Sequence, residues 1–238
     1  MKLILYIGFA QPDEWEGWAG TYARHARRFE EASGALAIVV PYHQIDTARI
    51  AQLRPHAVVM SGFARSFEAY TADELEGAVE WLSAPQLPTL ALCGSHQLLG
   101  KVMLHGQLWR SKLQDEPMRR LRDGEPICNP DYHPEYYMER GVYRMELTEE
   151  GRTDPLFSGI AEPAFVESHY CELKRVPDGF DLLASTSDCR IQAMRRRGSV
   201  VYGLQFHPED ASARFPAGAQ LLQNFFRTAG AAVEGATA

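Results

Sequence analysis

Four short apolar runs recur along the first hundred residues: Leu3-Ile4-Leu5-Tyr6-Ile7, Ala37-Ile38-Val39-Val40, His56-Ala57-Val58-Val59-Met60 and Thr89-Leu90-Ala91-Leu92. Each is the length of a strand, and none shows the apolar/polar alternation of a strand with one wet face. Such runs suit parallel strands covered on both sides. Between them lie helical patterns, at Tyr22 to Ala32 (closed by Ser33-Gly34), near Ile50 to Leu53, and after Thr71. Thr71-Ala72-Asp73-Glu74 has the spacing of a capping box, and Leu75, Val79 and Leu82 give that helix one apolar face. A further helix is expected over His96 to Leu104. Gly8 to Gly20, rich in Trp, Pro and Gly, reads as a loop. Alternation of this kind predicts an α/β fold with a mostly parallel sheet.

The second half reads differently. Val142 to Leu147, Ala164 to Glu167, Asp181 to Ala184, Ile191 to Met194 and Val200 to Gln205 form strands in quick succession, which predicts hairpin additions to the sheet. Pro216 to Arg227 is expected as a closing helix with Leu221, Leu222, Phe225 and Phe226 inward, and the Ala/Gly-rich stretch 229–238 as a disordered tail. Residues 1–228 then make one domain, a size at which 238 residues with 45% hydrophobic content bury a single core. Lys112 to Gly141 breaks the pattern with Asp123-Gly124, Glu125-Pro126, Asn129-Pro130 and His133-Pro134. A polar stretch this long is either an excursion or lid over the active-site face or a structural wrap. Tyr132, Tyr136 and Tyr137 within it, and Trp15 and Trp18 near the N-terminus, allow the same two readings.

A formal charge of −7 excludes general attraction to nucleic acid or to an anionic membrane surface. The one dense basic run, Arg195 to Arg197, reads as a solvated turn between strands. No stretch reaches the length of a membrane span. Four separated cysteines without a Cys-x-x-Cys pair fit a reducing cytoplasm. No metal site is expected, because His105, His133, Cys128 and Asp131 lack ligand spacing. No cofactor is expected either, since Gly8 follows a strand without any phosphate-binding motif.

Two segments carry chemistry. Cys93 falls between the strand Thr89 to Leu92 and the helix after it, with small residues, Ala91 and Ser95, two positions to either side. A strand-to-helix turn tight enough to project a nucleophile demands small residues there. The helix N-terminus favours the thiolate. Val201 to Phe206 is a strand that ends in His207-Pro208-Glu209, where proline bars its continuation. An imidazole held there can take the thiol proton, and the carboxylate two residues on can orient the ring.

Leu92-Cys93-Gly94-Ser95-His96-Gln97 together with Leu204-Gln205-Phe206-His207-Pro208-Glu209 resembles the class I, triad-type glutamine amidotransferase family. Val59-Met60-Ser61-Gly62-Phe63 is similar to that family's strand-end oxyanion loop, and Glu167-Ser168-His169-Tyr170 to the segment that lines the glutamine pocket in members like GMP synthase amidotransferase domains. The resemblance implies a flavodoxin-like three-layer domain with nucleophile Cys93, base His207 and orienting Glu209. It implies that backbone N–H groups of Gly62 and Gly94 receive the oxyanion, with Gln97, Ser168, His169 and Tyr170 near the glutamyl group. Ala91, Ser95 and Phe63 stand where the family often has glycine, and Lys112 to Gly141 has no close counterpart in its pattern.

The expected activity is release of ammonia from glutamine through a γ-glutamyl thioester. With no ATP motif in the chain, the ammonia would pass to a separate synthase partner. A free-standing hydrolase of γ-glutamyl peptides or amides would use the same triad. A non-catalytic binding protein on the same fold is the third reading.

Overall fold

The computed structural model describes residues 1–233. In chain order the elements are β1 (Leu3–Phe9), α1 (Trp15–Ser33), β2 (Leu36–Pro41), α2 (Thr47–Leu53), β3 (Ala57–Phe63), α3 (Ala72–Ser83), β4 (Thr89–Leu92), α4 (Gly94–His105), β5 (Glu139–Arg144), β6 (Glu146–Leu147), α5 (Glu149–Thr153), β7 (Ala164–His169), β8 (Phe180–Ser185), β9 (Ala193–Arg196), β10 (Val201–Leu204) and α6 (Ala217–Thr228). Eight strands form one sheet in the order β2-β1-β3-β4-β10-β9-β8-β6. The first five run parallel, and β9, β8 and β6 extend the sheet by antiparallel pairing. This is the expected mostly parallel α/β sheet with hairpin additions.

Because side chains alternate across a strand, β1 serves both faces. Ile4 and Tyr6 pack with Phe29 of α1 and Leu221, Leu222, Phe225 and Phe226 of α6. Leu5 and Ile7 pack with Ile50 of α2, Leu75, Val79 and Leu82 of α3, and Leu98, Leu99 and Val102 of α4. The result is three layers, with β5 and β7 as a separate two-stranded ribbon. The capping box at Thr71 and Glu74 is formed.

Three expectations are corrected. Residues 15–20 are helical rather than loop: Trp15 stacks on Tyr22 with ring centroids 5.0 Å apart, while Gly17 and Gly20 face open space and cost the helix no contact. The Arg195 to Arg197 run is a solvated turn only at its end. Arg195 and Arg196 belong to β9, and Arg195 reaches the buried carboxylate of Asp154 at 2.6 Å; the exposed turn takes in only Arg197 and Gly198, whose φ is +71°. The expected tail begins too early, because Ala231 is fully buried and the Val233 N–H donates to the Ser33 carbonyl. The rest of that tail, 234–238, lies outside the described residues.

Candidate active site

Strand pairing brings the chemistry together. β4 and β10 are parallel neighbours in register Leu92↔Leu204, so the residues that follow each strand emerge at the same sheet edge. The Cys93 N–H donates to the Leu204 carbonyl at 2.7 Å, carrying the pairing one step past β4. Cys93 then turns sharply, with φ 48° and ψ −110°, and α4 starts at the next residue. A side chain in that region costs about 1 to 3 kcal/mol, a strain typical of functional turns. The small flanking residues are buried, as the turn requires. Ser95 does more than fit: its hydroxyl donates to the Ser61 carbonyl and ties α4 to the end of β3.

On the other side of the pair, Phe206 is buried against Phe165 with rings stacked at 4.1 Å, and the His207 N–H donates to the Val166 carbonyl of β7. Pro208 opens a 3-10 turn, Pro208–Asp210, that swings Glu209 back under the imidazole. His207 Nδ1 lies 2.9 Å from Glu209 Oε1, and the Glu209 side chain is buried. A carboxylate only accepts, so Nδ1 carries the proton and Nε2 is left for the thiol. Gly62 packs against both groups: a methyl placed on it would sit 3.2 Å from Cys93 Cβ and 3.4 Å from His207 Cε1. Burial opposes a charge on His207, but the charges of Glu209 and Cys93 outweigh it and hold the imidazole well above its ordinary pKa. Such an arrangement can hold a thiolate–imidazolium pair, attack an acyl carbon and return a proton to a leaving amine.

The space around Cys93 has two parts. A cavity of about 460 Å³ is lined by Gly62, Cys93, His207 and Glu209, and also by Tyr6, Trp18, Tyr22 and Arg140. A smaller pocket of about 70 Å³ also reaches Cys93 and is lined by Gly94, Gln97, Asp115, Ser168, His169 and Tyr170. Gly94 is the first residue of α4, where helix N–H groups have no intrahelical acceptor, and a methyl on it would meet the Phe63 side chain at 2.6 Å.

The residues expected around the substrate divide into two kinds. Ser168 is exposed, Tyr170 is half-buried, and both line both spaces. Gln97 and His169 are committed to the protein. Gln97 Nε2 donates to the Cys171 carbonyl at 2.8 Å and to Gln205 Oε1 at 3.0 Å. His169 donates from Nδ1 to the Cys171 carbonyl at 2.9 Å and from Nε2 to Glu139 at 2.8 Å, with Glu167 at 3.3 Å. Burial alone would lower its pKa, yet the two carboxylates push it up to about 10. Glu139, His169 and Cys189 bring their ligand atoms within 4.8 Å of one another, but an imidazolium has no lone pair to offer a metal.

Three participants are not singled out by the sequence. Gln205 is fully buried and points Nε2 at Cys93 Sγ, 3.6 Å away, while its Oε1 accepts from Gln97, so the two amides form a chain that ends at the sulfur. Its signal lies inside the motif itself, two residues before His207. Asp115 closes the small pocket; it accepts from the Phe67 N–H at 3.0 Å and lies 2.9 Å from the Tyr132 hydroxyl. Arg140 lines the larger cavity. Nothing near these last two in sequence marks them.

The long polar stretch is tied down by side chains. Arg119 binds Glu125 through two nitrogens at 2.7 Å and Asp188 at 2.6 Å. Tyr132 also lies 2.9 Å from Glu68, and its ring packs edge-on against Tyr170. From this stretch, Cys128, Asn129 and Met138 line the larger cavity.

A family model described as glutamine amidotransferase class-I matches residues 22–229. A glutamine-hydrolyzing GMP synthase subunit of Methanocaldococcus jannaschii is 40% identical over 146 residues, 61% of this chain and 62% of that one. The glutamine-hydrolyzing GMP synthase of Halothermothrix orenii is 27% identical over 192 residues, 81% of this chain and 32% of that protein. The chain thus spans about a third of the second relative and less than two thirds of the first. Among solved structures, a putative GMP synthase subunit from Thermoplasma acidophilum superposes with a TM-score of 0.68 at 20% identity, covering 97% of this chain and 94% of that one.

Proposed function

The chain belongs to the class I glutamine amidotransferase family, and on that premise we propose that it hydrolyses glutamine to glutamate and ammonia with Cys93 as nucleophile, His207 as base and Glu209 as the carboxylate that orients it. The observation that carries this reading is the strained Cys93 turn facing His207 across Gly62. The thiolate attacks the carboxamide carbon, and the oxyanion develops toward the N–H groups of Gly62 and Gly94. His207 returns the proton to the departing ammonia, and water then resolves the γ-glutamyl thioester. Asp115 receives the α-ammonium group of the substrate in the small pocket, beside Ser168 and Tyr170. The stretch 112–141 serves as a lid within a single domain, with Tyr132 as its latch.

Relatives named as GMP synthase subunits support a destination for the ammonia, a separate synthase partner; the proposed compartment is the cytoplasm, on the reading of the four separated cysteines. Among the described residues no helix is long and apolar enough to cross a membrane. Mixing the purified protein with glutamine, alone and with the synthase it copurifies with, and measuring glutamate and ammonia tests the reading. One ammonia per glutamate is expected from the protein alone and less free ammonia than glutamate with the synthase; absence of turnover in both mixtures would contradict it.

A further inference from the structure

The two spaces that meet at Cys93 differ in size and in charge. His207 lines only the larger one. Since the imidazole hands its proton to the departing amine, the leaving group exits into the cavity of about 460 Å³. Ammonia needs little more room than a water molecule, whose share of the liquid is about 30 Å³. The chamber therefore offers more than ten times what glutamine's leaving group fills.

The walls say what would fill it. Trp18 is 37% exposed there, tilted against Tyr22 at 6.1 Å, an apolar surface left uncovered. The charged groups are paired off with one exception. Glu209 holds His207, Asp210 holds His25 at 3.2 Å, and Arg65 holds Glu14 at 2.8 Å. The Arg140 side chain, on an exposed residue at the rim, has no hydrogen-bond or ion-pair partner among the described residues. It stands opposite Ser168 in the antiparallel β5–β7 ribbon, so the two side chains share the face that looks onto the nucleophile. A chamber with one uncompensated cation and one open aromatic face is complementary to an amine that carries a carboxylate and an apolar side chain.

Resting on the acyl-transfer reading above, we propose that the site takes γ-glutamyl amino acids, with Arg140 receiving the carboxylate of an apolar or aromatic leaving amino acid and Trp18 packing on its side chain. Cys93 sulfur forms its bond to the γ-carbonyl carbon, and the C–N bond breaks as His207 gives its proton to the amine nitrogen. A water then adds its oxygen to the thioester carbon and its proton to His207, and the C–S bond breaks. The products are glutamate and the free amino acid, with one water consumed.

The test compares kcat/KM of the purified full chain for γ-glutamyl-phenylalanine, γ-glutamyl-phenethylamine (the same amide without its carboxylate) and glutamine. The expected order places γ-glutamyl-phenylalanine at least about 10-fold above glutamine. Arg140→Met should then lower kcat/KM for γ-glutamyl-phenylalanine by about 10- to 100-fold, chiefly through KM, with γ-glutamyl-phenethylamine within about 3-fold and partial recovery in Arg140→Lys. Retained turnover of the carboxylate-free amide shows that the variant is folded. Glutamine turned over at least as well as γ-glutamyl-phenylalanine overturns the leaving-group proposal and leaves the glutaminase reading standing. An equal loss for both amides in Arg140→Met overturns the assignment to Arg140. No turnover of any of the three, with Cys93 unlabelled by a chloroketone analogue of glutamine, sinks both readings.

Discussion

The edge of the sheet where β4 and β10 end and the ribbon of β5 and β7 beside it hold the site in opposite ways. At the sheet edge, placement is a backbone matter: neighbouring strands in register, a turn at φ 48°, a proline and a 3-10 turn put Cys93, His207 and Glu209 within reach of each other. In the ribbon, placement depends on buried side chains from distant segments. His169 is fixed between Glu139 and Glu167, and Glu139 is held in turn by Thr186 and Gln192 at 2.6 Å each. The contrast teaches that, on the proposed reading, one region would set the chemistry through a few reacting atoms, while the other would set the shape of the pocket through a network.

The largest effect that could break this contrast lies at the strained turn. Cys93→Gly should lower kcat for glutamine by about 10⁴-fold or more, yet raise stability by about 1 kcal/mol, because glycine adopts the turn's backbone angles without a Cβ penalty. Turnover and thermal melting measured on one preparation check both signs. Glu209→Gln keeps the shape but no longer anchors the Nδ1 tautomer with a charge, and a fall in kcat of about 10² to 10⁴-fold is expected with little change in melting temperature.

In the ribbon the balance reverses. Glu139→Gln leaves the buried His169 cation poorly paired, and a loss of about 3 to 5 kcal/mol in stability is expected near pH 7, with kcat reduced less than 10-fold. The His169 pKa is raised in the folded state, to about 10. Its contribution to stability is therefore fully present below its ordinary value near 6.5 and fades as pH rises toward 10. Denaturant titrations from pH 6 to 10 should show the gap between wild type and Glu139→Gln narrowing; a gap that widens would mean the pair is not an ion pair. Smaller still, Gln205→Leu removes one N–H from the sulfur and should cost about 10-fold in kcat. Tyr132→Phe loosens the contact with Glu68 and Asp115 and should raise KM a few-fold, read by steady-state kinetics.

The same contrast explains what the residues reveal on their own. The strand runs, the capped helix at Thr71 and the elbow around Cys93 are local patterns, and the eight-stranded sheet follows them closely. Trp15 to Gly20 reads as loop because Gly17 and Gly20 look like loop residues until Trp15 and Trp18 are seen to fall on one side of Tyr22. Arg195 looks solvated because its partner, Asp154, is 41 residues away. His169 belongs to a recognisable segment, but its task is fixed by Glu139, thirty residues upstream in a stretch without periodicity. Asp115 and Arg140 are silent for the same reason: their neighbours in space are not their neighbours in the chain.

The central claim is that acyl transfer runs through the sulfur of Cys93. Acid-quenching glutamine turnover within its first cycles, then mapping the peptides by mass spectrometry, tests it most directly. A glutamyl adduct confined to the peptide containing Cys93, and enriched in a His207→Gln variant in which hydrolysis slows, is the predicted result. Turnover without any adduct there, or an adduct carried by Cys128 across the same cavity, would contradict the account.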